Sequence, residues 1–187
     1  MSKPLGDPAR HLPLSALEAG YAALPAPPRE AGRLALITAR HPEGRLTPQE
    51  ARVSPDGGLE GDRWSPAKKG TLNQLTLMRV DVGELIANGQ DLSLFGDNLL
   101  VSLDLGAKAL PPGSRLALGD EVELEITPEP HTGCSLYKDR FGADALRFIS
   151  AKERQALHLR GVHARVLRGG LIRVGEAVRV LSRGGAD

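Results

Sequence analysis

Residues 115–126 read Arg-Leu-Ala-Leu-Gly-Asp-Glu-Val-Glu-Leu-Glu-Ile, and this stretch sets the fold class. Val122, Leu124 and Ile126 alternate with Glu121, Glu123 and Glu125. A strand with one buried and one solvated face has this period of two. Gly119-Asp120, between two apolar runs, marks a turn. A second stretch echoes the first: Leu171-Ile-Arg-Val-Gly-Glu-Ala-Val-Arg-Val180. Both read as strand, glycine-acid turn, strand, and predict two similar corners of one β structure.

Further strands appear on either side. Arg33–Ala39 is a short apolar run suited to a strand buried on both faces, and Leu72–Met78 is another. Asn98–Leu105 places Leu99, Val101, Leu103 and Leu105 on one face. Gly161–Leu167 and Leu171–Leu181 supply the last strands. Strands separated by Gly, Pro and Asp turns predict a mainly β protein, an antiparallel barrel or sandwich. Helices are few. Asp81-Val-Gly-Glu84 has the form of a capping box, with Asn88-Gly89 as the stop. A second helix falls within Asp144–Leu157. Residues 1–32 differ from the rest: six of the 14 prolines lie in the first 30 positions. Leu14, Leu17 and Tyr21 have helical spacing there, either docked on the main body or loosely attached. The expected organisation is an N-terminal Pro-rich extension with a short helix over residues 1–32, then one domain over 33–187.

Composition removes several function classes. A net charge of +1 and an aromatic content of 3% argue against a nucleic-acid binder, which usually shows a basic face and stacking rings. No apolar run approaches a membrane span. Pro4, Pro8 and Pro13 interrupt the first residues, so no signal peptide is expected and the reading is cytoplasmic. A single cysteine, Cys134, excludes an internal disulfide and a Cys-x-x-Cys site.

Four groups of residues have chemistry to offer. Cys134 sits in Pro128-Glu-Pro-His-Thr-Gly-Cys-Ser135, after a strand and before a helix. With His131 and Lys138 near it, its thiol would be more acidic and more nucleophilic than usual; the plainer alternative is an ordinary buried free cysteine. His131 and Cys134 could form half of a zinc site, but His11, His41, His158 and His163 lie at no standard spacing, so no zinc is expected. Gly57-Gly-Leu-Glu-Gly-Asp-Arg-Trp64 is rich in glycine. There Gly61 brings backbone close to a ligand, and Asp62 fixes the Arg63 fork to bind a phosphate or carboxylate; otherwise the stretch is a turn with a surface ion pair. Asn98, in Gly96-Asp-Asn98, is a site residue at a strand mouth or a turn residue. Arg160, His163 and Arg165 lie around a strand start, and Lys138 and Arg140 add positive charge, making a basic pocket if these groups converge.

The order of these segments resembles the MOSC domain, the family named from the C-terminal domain of molybdenum cofactor sulfurases. The resemblance runs over roughly residues 33–182. It rests on Gly-Leu-Glu-Gly-Asp-Arg-Trp64, Asn-Gln-Leu-Thr-Leu-Met78, Gly-Asp-Asn-Leu-Leu-Val101, Leu-Pro-Pro-Gly-Ser-Arg-Leu-Ala-Leu-Gly-Asp120, the loop cysteine, Arg-Phe-Gly142, Arg-Gly-Val162 and the closing Gly-Gly-Leu-Ile-Arg-Val-Gly175. It implies a closed antiparallel β-barrel with a few short helices. It also implies a role for Cys134 as a persulfide sulfur carrier or as a thiol contacting the molybdenum of a pterin cofactor. Gly61, Asp62, Arg63 and Asn98, with Arg160, would bind that cofactor, and His131 and Lys138 would tune the thiol. The family's Gly-Asp-Arg-His ends here in Trp64 instead of His. Two activities follow from the resemblance: sulfur transfer, with a separate cysteine desulfurase as partner, or reduction of N-hydroxylated compounds, with a separate electron-donor protein. The alternatives are a non-catalytic module carrying a molybdopterin-like anion, and a structural barrel whose Pro-rich N-terminus contacts a partner.

Overall fold

The computed structural model describes residues 5–65 and 70–185; the first four and last two residues of the two expected units lie outside it. Twelve strands are described. They are β1 (Ala31–Ile37), β2 (Ala39–His41), β3 (Gly44–Leu46), β4 (Glu50–Ser54), β5 (Gly58–Leu59), β6 (Leu75–Arg79), β7 (Leu99–Val101), β8 (Arg115–Leu118), β9 (Val122–Ile126), β10 (Val162–Arg168), β11 (Gly170–Arg173) and β12 (Ala177–Ser182). Seven close into a barrel in the order β1-β12-β8-β9-β10-β6-β7. The alternating stretch forms its β8–β9 hairpin, with Leu116 opposite Leu124 and Leu118 opposite Val122.

The barrel is mixed and not wholly antiparallel. β6 and β7 run parallel, with Leu77 opposite Leu99. Parallel neighbours need a crossover of a dozen or more residues. Residues 80–98 provide it through a helix at Val80–Ala87 and a 3-10 turn at Leu92–Phe95. The echo at 171–180 also resolves differently from a second hairpin. β11 pairs with β4 in a three-stranded sheet, whereas β12 joins the barrel. Its glycine-acid turn therefore carries the chain from one sheet to another. The strand expected over Asn98–Leu105 ends at Val101, although Leu103 and Leu105 remain fully buried.

Four helices are described: α1 (Leu14–Ala23), α2 (Val80–Ala87), α3 (Ser135–Phe141) and α4 (Ala143–Ser150). The expected capping box is not made. Arg79 is the N-cap of α2, and Asp81, already inside the helix, pairs with the Arg79 guanidinium at 2.6 Å. Asn88 ends α2 in the left-handed conformation. The helix expected within Asp144–Leu157 is divided: α4 stops at Ser150, and a 3-10 segment follows at Lys152–Leu157.

Two apolar clusters hold these elements. The barrel interior is aliphatic, filled by Leu34, Leu75, Leu99, Leu116, Leu124 and their neighbours. The second cluster lies among the helices, and five of the six aromatic residues belong to it or pack on it: Tyr21, Phe95, Tyr137, Phe141 and Phe148. Phe95 stacks on Phe141 with centroids 4.1 Å apart, and Tyr21 meets Phe148 edge-on at 5.9 Å. Leu17 of α1 is fully buried in this cluster. Leu14 N–H donates to Asp144, and Glu18 pairs with Arg154. The N-terminal helix thus lies against the helices that follow Cys134. Leu17→Ala removes a fully buried side chain and is expected to destabilise the protein by about 2–5 kcal/mol, read from urea unfolding.

Candidate functional site

Asn98 is buried, and every polar atom of its amide has a partner. Oδ1 accepts from Thr76 N at 3.1 Å, from Thr76 Oγ1 at 3.2 Å and from Arg40 Nη2 at 3.3 Å. Nδ2 donates to the Thr38 carbonyl at 3.2 Å. The residue therefore clips together β6, the start of β7 and the end of β1.

Arg40 leads to the glycine-rich turn. Asp62, with its side chain 1% exposed, does not hold Arg63 as expected; it grips Arg40. Arg40 Nε and Nη2 donate to the two carboxylate oxygens at 2.9 and 2.6 Å, and Arg40 N–H donates at 2.6 Å. Trp64 N–H donates to Asp62 Oδ2 at 3.0 Å. Burial pushes the Asp62 carboxyl up, but the Arg40 bonds and charge outweigh it and hold the group below its ordinary value. Arg63 is left exposed, free of Asp62, with its N–H donating to the Arg40 carbonyl at 2.9 Å. Gly61 lies in the same turn, exposed and at φ +77°. Trp64 is buried against Gly58, where a Cβ would lie 3.1 Å from the indole; φ +66° at Gly58 also disfavours any side chain. The Trp64 indole Nε1 is buried with no hydrogen-bond partner among the described residues, and an indole, a donor only, cannot relay a proton as an imidazole does.

Asp97, one residue before the clip, organises the other half. Its side chain is fully buried. Arg160 Nη1 meets Asp97 Oδ2 at 2.5 Å, and His131 Nδ1 lies 3.6 Å from Oδ1. The Arg160 guanidinium stands 5.3 Å above the Tyr137 ring. The Tyr137 hydroxyl is buried without a partner among the described residues, and burial raises its pKa strongly. His131 stacks obliquely on His163, with centroids 4.6 Å apart; His163 is lowered chiefly by burial. Arg165, also considered from sequence, pairs instead with Glu125 at 2.8 Å.

Cys134 is exposed and caps α3, its carbonyl accepting from Tyr137 N and Lys138 N. The Lys138 side chain is exposed. Arg140, on the same helix, is buried, and its Nη1 donates to the Leu94 carbonyl at 2.7 Å. Its pKa is pushed down to about 10, first by burial and then by Arg45, with Cys134 acting in the opposite direction. Arg45 is likewise lowered by burial and then by Arg63 and Arg40. It lies against Gly96, where a Cβ would come within 2.8 Å of Arg45 Nη2, so a side chain there would displace the guanidinium. Arg40, Arg45, Arg63, Arg140 and Arg160 thus act on one another across a single region that includes Cys134. Arg40 and Arg160 have carboxylate partners; among the described residues, no ion pair includes Arg45 or Arg63.

The sequence reading did not single out Arg40, Arg45, Asp97 or Tyr137. Asp97 had a signal, because it stands inside the quoted Gly96-Asp-Asn98. Arg40 and Arg45 had none: they sit on the short β2–β3 hairpin with no distinguishing pattern.

Breaking a buried ion pair leaves an uncompensated charge, so Asp62→Asn is expected to lose about 3–5 kcal/mol at pH 7. The Asp62 pKa is lowered in the folded state, so its stabilising contribution is present above the unfolded carboxyl value and disappears as pH falls through the folded one. The gap between wild type and variant should therefore close below about pH 4, as measured by denaturant unfolding across pH.

The MOSC domain family matches residues 78–179, more than half of the chain. The fold is similar to that of the YuaD protein from Bacillus subtilis, with a TM-score of 0.57 and 18% identity over 81% of this chain and 96% of that one. It is also similar to YiiM from Geobacillus stearothermophilus, with a TM-score of 0.54 and 16% identity over 83% of this chain and 77% of that one. YiiM from Escherichia coli gives a TM-score of 0.54 and 18% identity over 81% and 70%. At these identities the likeness concerns the fold alone. No curated protein matches the sequence. Among the described residues, no helix is long and apolar enough to cross a membrane. The ordered motifs, the closed barrel and the match over residues 78–179 together make this chain a member of the MOSC domain family.

Proposed function

We propose that this MOSC protein binds a molybdenum-pterin cofactor, or a closely related anion, in the arginine-rich region beside Cys134. The cysteine would be its sulfur carrier or metal-contacting thiol. One observation carries the reading: Arg140 feels both the exposed Cys134 thiol and Arg45 and Arg63, which have no carboxylate partners among the described residues. Cations that depress one another's pKa are relieved by an anion placed between them, and guanidinium forks suit phosphate.

The residues present fit such a group. Arg45 Nε is buried with no partner among the described residues, a donor left available to a ligand. Among the described residues no three His, Cys, Asp or Glu side chains cluster as a metal site. The protein's share in holding a metal would therefore be the one soft thiolate of Cys134. When bound, the cofactor would supply redox chemistry. Arg45 and Arg63 would hold its phosphate, Arg40 would keep the Arg63 turn in place through Asp62, and Asp97 would keep His131 and Arg160 beside the loop.

In the sulfur-transfer reading, the Cys134 thiolate attacks the outer sulfur of a persulfide on a separate cysteine desulfurase. The donor's S–S bond breaks, a new S–S bond forms on Cys134, and the donor leaves as a thiolate, with no net oxidation. In the reductase reading, a separate electron-donor protein supplies electrons for an N-hydroxylated substrate.

The test is intact-mass and metal analysis of wild type beside Cys134→Ser. The two proteins are treated with a desulfurase plus cysteine, and separately with isolated cofactor. A gain of about 32 Da in wild type only assigns the persulfide role. Molybdenum retained by wild type and lost by the variant assigns the metal-contacting role. Equal behaviour in both arms overturns the reactive thiol and leaves a cofactor-carrying module. Independently, Arg45→Ala and Arg63→Ala should each weaken cofactor retention about tenfold or more, as expected when a charged hydrogen bond is lost. Retention should also fall with added salt.

A further inference from the structure

A cavity of about 470 Å³ is walled in part by residues 128–133 of the loop that leads to Cys134. Its walls include Ile126 at the end of β9, Val162 at the start of β10, and Pro112, Pro128, Pro130 and Ile149. It also touches His131 and Arg160, but Cys134, Arg45 and Arg63 do not line it. Its size is that of a small-molecule site.

The cavity is held open by fixed parts. Prolines restrict the loop backbone. Thr127 N–H donates to the His163 carbonyl at 2.9 Å, and Thr127 Oγ1 donates to the Leu72 carbonyl at 2.5 Å. His163 Nδ1 is 3.2 Å from the Glu129 carbonyl oxygen.

Its charge differs from that of the arginine region. Arg160 is already matched by Asp97 at 2.5 Å. His158 Nδ1 is engaged with the Leu105 carbonyl oxygen at 2.8 Å. The Glu129 side chain, exposed at the rim, has no ion-pair partner among the described residues. Among the described residues, an anion entering here would lose hydration, meet an arginine already neutralised by Asp97 and face the Glu129 carboxylate. An apolar body would gain from the aliphatic walls. A donor group at its end would find the Glu129 acceptor.

We propose that this cavity is a second binding site, for an uncharged organic molecule with an apolar body and a hydrogen-bond-donating head, for which benzamide is the probe. The site borders the anion site at His131 and Arg160, but Cys134, Arg45 and Arg63 do not line it.

The test is to titrate cofactor-free protein with benzamide and with benzoate, following backbone amides by NMR. Benzamide should give saturable shifts at Ala107, Thr127, His131 and Val162, and benzoate should bind about tenfold more weakly. Ala107→Trp, at a lining position, should abolish benzamide binding while the melting curve shows a folded protein. Glu129→Gln should narrow the benzamide preference by itself, which keeps the test decisive if the tryptophan variant does not fold. Cys134→Ser and Arg63→Ala should bind both probes as wild type does. These last two variants separate this site from the anion site: their loss of cofactor leaves probe binding intact. Absence of saturable shifts, shifts centred on Arg45 and Arg63, benzoate binding as tight as benzamide, or an unchanged preference in Glu129→Gln would each overturn the proposal.

Discussion

Two adjacent buried side chains, Asp97 and Asn98, organise the region around the parallel β6–β7 pair. Asn98 ties β6, β7 and the end of β1 and accepts from the Arg40 guanidinium. Arg40 in turn grips Asp62, and Asp62 bonds the backbone of Trp64. A single amide is thus linked through three residues to the turn that presents Arg63. Asp97 holds Arg160 and faces His131, and so controls one side of the Cys134 loop. Buried polar groups left without partners are costly, so each link in these chains constrains the next.

The division of apolar residues matches this arrangement. Aliphatic side chains fill the barrel interior, whose close-packed strands leave little room for rings. The aromatic residues gather outside it, among α1 and the helices that flank Cys134. Phe95, between Asp91 and Asp97 in sequence, stacks on Phe141 and packs beside Tyr137. The segment carrying Asp97 and the helix capped by Cys134 therefore share one aromatic contact. The N-terminal helix adds Leu17 and Tyr21 to that layer, so a stretch distant in sequence supports the cysteine helix.

The region also separates charge. Near Cys134, arginines accumulate until burial and mutual repulsion depress Arg45 and Arg140. In the cavity wall the one arginine among the described residues is neutralised by Asp97. Asp97 pairs directly with Arg160 in the cavity wall and acts on Arg45 only through its field, so the arginines near Cys134 keep more of their charge unmatched.

The sequence by itself determined that the chain is mainly β, because period-two alternation at 121–126 records burial directly. It determined the family, through the order of short motifs, and the stop of α2, where Asn88 adopts the left-handed conformation. It brought Cys134, Arg63 and Asn98 to notice, but not how they connect. Only the tertiary structure decided that β6 and β7 are parallel, that the 171–180 echo switches sheets, and that Asp62 holds Arg40 instead of its neighbour Arg63. Only the tertiary structure brought Arg40, Arg45, Asp97 and Tyr137 into the region of Cys134. The physical reason is range. Alternation and capping are set by residues a few positions apart, whereas an ion pair between positions 40 and 62, or 97 and 160, exists only once the barrel has closed and excluded water from it.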